Sequence, residues 1–338
     1  MPHNSRPVKT KYFAQLIALS ALWGASFMLI RIASPLLGPT VLAALRIGVA
    51  TLTLTVLMRA MQHRWPLKHW RELAVLGALS VALPFLLFAW AALQLPAGYS
   101  ALLNTTAVLF GIFSAAWLKE DTLTLRKLVG CACGFAGVAL IVGLGPVKPS
   151  LPVILAALAC IAASACYGIS TPLMKRAIGR MQPLEIAAGI HAMSLLMLTP
   201  GAIWNSPQAQ FTPVALAAVA VMGVVTSGLA YWLHLRILVH VSPVAAMSPT
   251  FLIPVFGVSW GHLFLGEQLS SGIYLGGRSQ KLGVGIHGNA PKSDWSRIGM
   301  CTRRRLRAPS IGIIRTGTKG LSQPGPWWPS TPADFVQV

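Results

Sequence analysis

The sequence predicts an all-α membrane protein, a polytopic helical bundle of two inverted five-helix repeats in which the tenth helix is missing. Three observations predict it. Apolar residues make up 55% of the 338-residue chain and charged residues 10%, against roughly 25% charged in soluble domains. The apolar residues are grouped in runs of about 20, the length at which a helix crosses a bilayer. A long segment also occurs twice. Ala97 to Gly130 is echoed by Val244 to Gly277 at an offset of 147, with Leu118 meeting Leu265 and Glu120 meeting Glu267.

Nine runs read as spans, near 12–32, 39–61, 72–93, 97–118, 124–145, 151–174, 184–204, 212–235 and 243–265. Runs this long and evenly apolar are helices, because in lipid only helices and closed barrels satisfy every backbone group. The first follows a short basic segment (Arg6, Lys9, Lys11) without a small-residue cleavage site, so it reads as an uncleaved anchor. The second opens at Pro39, and the third follows a basic loop holding Arg59, Arg64, Lys68 and Arg71. The fourth and fifth form the first copy of the repeat, and Gly130 and Gly134 give the fifth a G-x-x-x-G face for close helix packing. The sixth carries Tyr167. The seventh opens at Pro183 with Glu185 in its first turn, where a negative charge suits the helix dipole. The eighth and ninth follow, the ninth being the second copy. Where the first copy continues as CACGFAGVALIVGLG, the second becomes RSQKLGVGIHGNAPKSDW, with Lys281 in place of the second glycine.

The repeat reaches further upstream. Trp23 to Ala33 (WGASFMLIRIA) lies 144 residues before Tyr167 to Ala177 (YGISTPLMKRA), and Pro39 matches Pro183. A unit of this length holds five helices. Five is odd, so the second unit starts on the opposite membrane face and the two are inverted about an axis in the membrane plane. The expected organisation is a first repeat at 1–148, a truncated second repeat at 149–277 and a basic tail at 278–338. A repeated transmembrane unit of this kind points to a transporter.

The net charge of +20 suggests a nucleic-acid binder until it is located. Ten of the 27 Lys and Arg follow Gly277, and the rest lie almost entirely between spans. With the N-terminus cytoplasmic, fourteen basic residues fall inside and two, Arg31 and Lys148, outside. That asymmetry sets the orientation. After Gly277 no apolar run of even 12 residues follows. The tail is rich in Pro, Gly and Arg and reads as disordered, the product of a reading-frame slip or a genuine nine-helix extension. Gly283 to Gly288 (GVGIHG) fits a dinucleotide-binding string but follows no strand. The RRRLR run (Arg303 to Arg307) in a membrane protein is read as accidental, and no nucleic-acid partner is expected.

The pattern resembles the EamA-type transporters of the drug/metabolite transporter superfamily. Trp23-Gly24, Pro39 and Arg46, the stretch from Ala97 to Glu120 with LTLRKLVGCACGFAGVALIV around and behind it, Tyr167-Gly168, and Pro254 to Glu267 carry the resemblance. It implies a ten-helix exporter of small metabolites or drugs in the bacterial inner membrane. In the family a proline often stands where this chain has Ala107, so the fourth helix is expected to be stiffer than usual.

Ionisable residues inside spans are the most informative, since each costs at least ~2.5–3.5 kcal/mol to insert. Arg46 lies seven residues into the second span, about 10 Å deep. It is expected to face the bundle interior, where it either binds an anionic group of the substrate or bonds to helix carbonyls. His191 lies at nearly the equivalent depth in the seventh span, as a proton relay or a neutral packing histidine. Trp23 and Tyr167 are repeat mates expected to flank a pocket; Trp90, Tyr99, Tyr231 and Trp232 are further aromatics, the last two read as near a helix end. Asn104, beside Thr105 and Thr106, could bond a substrate or a neighbouring helix. The expected substrate-binding residues are therefore Trp23, Arg46, Asn104, Tyr167 and His191. No Asp or Glu lies mid-span, and Glu120 and Glu267 end the fourth and ninth helices at opposite faces.

The five cysteines lack zinc-ligand spacing, and no cofactor, metal or catalytic residue is expected. The chain reads as a secondary transporter of a small molecule by alternating access, in contact with the lipid bilayer and with a homodimer left open. The alternatives are a transport-inactive truncated member of the family or, more remotely, an intramembrane enzyme.

Overall fold

In the computed structural model, residues 10–118, 129, 150–241, 246–247 and 249–267 are described. These residues form eight helical rods: α1 (Thr10–Leu37), α2 (Pro39–Ala60), α3 (Leu67–Ala91), α4 (Ala97–Trp117), α5 (Leu151–Ile178), α6 (Pro183–Asn205), α7 (Pro213–His240) and α8 (Pro249–Leu265). Seven are long and apolar enough to cross a membrane, and α8 is a shorter apolar helix. No strand occurs among the described residues, so the chain is an all-α polytopic membrane protein. The expected fifth span (124–145), Glu120 and the basic tail lie outside the described residues.

Proline and glycine set the punctuation. Pro39, Pro152, Pro183 and Pro213 stand in the first turn of their helices, where the missing N–H has no intrahelical role. Gly38 alone separates α1 from α2, at φ 75°, a conformation that glycine adopts without strain. Helix ends buried in the bundle find specific partners. Glu267 accepts from the first two amides of α4, Ala97 N at 2.7 Å and Gly98 N at 3.2 Å. Lys175 Nζ donates to the carbonyls of Val239 and Val241 at 3.0 Å each, at the end of α7. Opposite charges at opposite helix ends follow the peptide dipoles.

Within the helices, serine and threonine hydroxyls bond back to a carbonyl one turn earlier, as Thr51 does to Ile47 at 2.8 Å and Thr199 to Leu195 at 2.7 Å. With no water in hydrocarbon these groups must be satisfied internally. The outer surface is apolar, with Leu52 66% and Ile203 67% exposed. Such a surface belongs against lipid tails.

Two close helix crossings define the interior. A Cβ on Gly24 of α1 would lie 2.6 Å from Phe256 Cβ of α8, and one on Gly168 of α5 would lie 2.6 Å from Phe110 Cβ of α4. Only hydrogen fits at either place, so these glycines let the backbones approach. They are the two positions that the sequence repeat pairs, each following an aromatic residue.

The fourth helix, α4, is irregular at its centre. Asn104–Thr106 form a 3₁₀ turn in its middle. Thr105 Oγ1 donates to Leu102 O at 2.7 Å and Thr106 Oγ1 to Leu103 O at 2.8 Å. Three-residue back-bonding tightens the turn, so a polar triplet interrupts this helix where a proline is absent.

Candidate functional site

The interior encloses a cavity of about 100 Å³ whose wall draws on α1 to α5, α7 and α8. Six aromatic rings stand on it, those of Trp23, Phe27, Phe85, Phe88, Tyr167 and Tyr231. Phe27 and Phe88 meet edge to face at 5.1 Å, and Phe88 lies nearly parallel to Tyr167 at 6.2 Å. Centroid separations in this range are those at which aromatic rings pack favourably.

Arg46 supplies the charge. It is 5% exposed, and its position on α2 turns it inward. Nε donates to Ser227 Oγ at 2.6 Å, Nη2 approaches Thr226 Oγ1 at 3.4 Å, and the guanidinium lies 3.9 Å from the centroid of Phe85. Among the described residues no carboxylate lies within ion-pair distance of it. The two hydroxyls leave other N–H donors of the fork free for a ligand, and the aromatic face holds the planar group in place. A buried cation without a counter-charge is costly, and an anion entering the cavity would relieve that cost.

Both hydroxyls come from an irregular stretch of α7. Met222–Leu229 winds as a π-helix, which takes carbonyls out of the regular ladder. The Thr226 carbonyl is used this way, accepting from Trp23 Nε1 at 3.1 Å. Thr226 thereby ties Trp23 of α1 to Arg46 of α2. Neither the π turn nor its two hydroxyls were expected from sequence.

Of the five expected residues, the structure brings four together on the cavity wall: Trp23, Arg46, Asn104 and Tyr167. Asn104 Oδ1 is buried without a hydrogen-bond partner. His191 is not on the wall. Its Nδ1 lies 2.8 Å from Ala187 O of its own helix, and its ring packs edge to face on Tyr231 at 5.0 Å. Trp90 is 40% exposed on the outer surface, and Tyr99 is buried off the cavity.

Two lining residues of α7 differ from expectation. Tyr231, expected near a helix end, is mid-helix and buried, because α7 continues to His240. His234, not anticipated, lines the cavity with Nδ1 unpartnered. The signal was available: Ile237, Leu238 and Val239 prolong the apolar run past Arg236. Arg236 is exposed and lies 5.0 Å over Trp232, so its charge does not end the span.

Comparison with known proteins places the chain in a family. The pattern of the EamA-like transporter family matches residues 11–143 and 154–279. The chain belongs to that family. Among its relatives, the uncharacterized transporter YvbV of Bacillus subtilis (strain 168) is 26% identical over 274 residues, 79% of this chain and 88% of that protein. A probable terminal-alkyne amino-acid exporter of Streptantibioticus cattleyicolor is 25% identical over 260 residues, 75% of this chain and 84% of that protein. One crystal structure superposes with a TM-score of 0.63 at 15% identity, over 83% of this chain and 98% of that one; at that identity it supports the fold alone. The EamA-like chain is a multi-pass membrane transporter, not an enzyme.

Proposed function

We propose that this EamA-like chain exports a small organic anion, a carboxylate with an apolar or aromatic body, across the bacterial inner membrane with its N-terminus cytoplasmic. Transport runs by alternating access between two inverted repeats, five helices at 1–148 and a truncated set of four at 149–277, with the solute held between them. Trp23 and Tyr167 flank its body, Arg46 takes its carboxylate, and Asn104 offers an acceptor to any donor it carries. The observation that carries this reading is the Arg46 guanidinium, buried on the cavity wall with hydroxyl partners and no carboxylate among the described residues. The Streptantibioticus relative is named for exporting an amino acid, which also bears a carboxylate.

Phenylacetate and its neutral isostere phenylacetamide test it. Quenching of tryptophan fluorescence in the purified chain is expected to show phenylacetate binding at least ~10-fold tighter, the scale of one charge-assisted hydrogen-bonded contact. Arg46→Gln is expected to erase the preference. Equal binding of the two compounds by the unaltered chain sinks the reading.

A second reading, a transport-inactive chain, is favoured by one observation: the apolar pattern of the second repeat stops after Gly277. Counterflow of labelled phenylacetate in proteoliposomes separates the two readings, since an inactive chain binds the solute without moving it.

A further inference from the structure

Among the described residues of the cavity wall, His234 is the side chain of the type that changes charge near neutrality. It is 7% exposed, its Nδ1 has no hydrogen-bond partner, and its ring lies 5.2 Å from Trp23 and 6.3 Å from Tyr231. Trp23 in turn donates to the carbonyl of Thr226, whose hydroxyl stands beside Arg46. His234 and Arg46 are therefore linked through one indole and one threonine around the same space. Among the described residues, the charged and titratable groups facing this space are Arg46 from α2, Tyr167 from α5 and Tyr231 from α7, with His191 of α6 behind Tyr231. None of them is a carboxylate.

We propose that His234 is the proton-binding residue of this transporter, taking up one proton together with an anionic solute held at Arg46. The inference rests on the anion reading of the cavity given above. Two positive charges in one low-dielectric cavity repel, so the empty site favours neutral imidazole beside the guanidinium. An arriving carboxylate offsets one charge, and the proton then binds the imidazole nitrogen lone pair with less opposition. By linkage the reverse holds equally: a protonated His234 strengthens anion binding.

The sign has a mechanistic consequence. In a cavity whose proton carrier is a carboxylate, proton and cationic solute compete for one site and are exchanged in opposite directions. Here proton and anion favour each other, load the same open state and leave together. The device is cotransport, and outward movement proceeds when the outward gradient of the solute exceeds the inward gradient of protons.

Phenylacetate is the probe, since its carboxylate is ionised throughout the range from about pH 6 to about pH 8 in which an ordinary histidine titrates. Its affinity for the full chain is expected to fall by about 10-fold per pH unit across that range, the slope that one linked proton gives. Titration calorimetry in two buffers of different ionisation heat is expected to count close to one proton taken up per phenylacetate near the midpoint. His234→Gln is expected to flatten the pH profile and abolish the uptake, while His191→Gln retains both. The proton count on the unaltered chain stands even if the variants fail to fold. Binding that is independent of pH, lacks proton uptake and is still lost in Arg46→Gln overturns the role of His234 and leaves the anion site intact. Uptake that disappears in His191→Gln but persists in His234→Gln also overturns it. If phenylacetate binds no tighter than phenylacetamide at any pH, the anion site and this inference fall together.

Discussion

Arg46 on α2 and His191 on α6 lie one position away from being repeat mates, yet they do different things. Arg46 is on the cavity wall, with Ser227 and Thr226 as its hydroxyl partners. His191 bonds to a carbonyl of its own helix and rests against the ring of Tyr231. Gly24 and Gly168, by contrast, are true repeat mates and do the same thing: each lets an aromatic-bearing helix press against its neighbour, α8 in one case and α4 in the other. The difference teaches where duplicated halves stay alike. Close backbone approach is a need of both halves, and any side chain at either glycine violates it. The proposed anion site needs one cation; a second fixed cation at the paired position would add a desolvation cost and repel the first. The glycine packing is alike at the two paired positions, and the surroundings of Arg46 and His191 are not.

The comparison breaks most decisively at the two polar positions. Arg46→Gln is expected to weaken phenylacetate binding by ~30-fold or more, since truncating one partner of a buried charge pair costs about 2–5 kcal/mol. Adding His191→Arg to that variant is expected to restore none of it, because α6 presents no residue to the cavity wall. Restored binding, read by tryptophan quenching, would make the two positions interchangeable.

The glycine pair sharpens the packing side. Gly24→Val and Gly168→Val each place atoms where a Cβ already falls 2.6 Å from another. Each is expected to destabilise by about 1–3 kcal/mol, as overpacking does, and by similar amounts. Thermal melts of the detergent-solubilised variants check this; tolerance of one but not the other would show that the two crossings are not equivalent.

The smallest effect is expected at His191. His191→Gln removes a hydrogen bond and a ring contact worth roughly 1 kcal/mol together. The melting temperature should fall slightly, with phenylacetate affinity changed by less than about threefold. A larger loss of affinity would bring His191 into the binding site.

Much of the fold was legible because the bilayer restricts what a chain can do. Each expected span among the described residues is occupied by a helix, and the ends marked by Pro39 and Pro183 fall where those residues stand. A single charge or proline is a weaker guide. Arg236 marks the end of the eighth apolar run, but it lies on an exposed face and α7 runs on to His240. Ala107 lacks a proline's effect on α4, but the hydroxyls of Thr105 and Thr106 tighten the helix just upstream. Four of the five expected site residues share the cavity, since an arginine, an amide and two paired aromatics at membrane depth are poorly suited to a lipid-facing surface.

The sequence by itself determined that this is a helical membrane protein of duplicated origin in the EamA-like transporter family. Those properties rest on composition, run length and spacing, which are local quantities along the chain. Only the tertiary structure decided which polar groups share a space. Thr226 and Ser227 stand beside Arg46 because a π turn carries them there, 180 and 181 positions away in the chain. His234 faces the cavity while His191 is shut out behind Tyr231. The physical reason is rotation: a helix turns about 100° per residue, so one extra residue in a wide turn re-aims every side chain beyond it, and no local pattern records that shift.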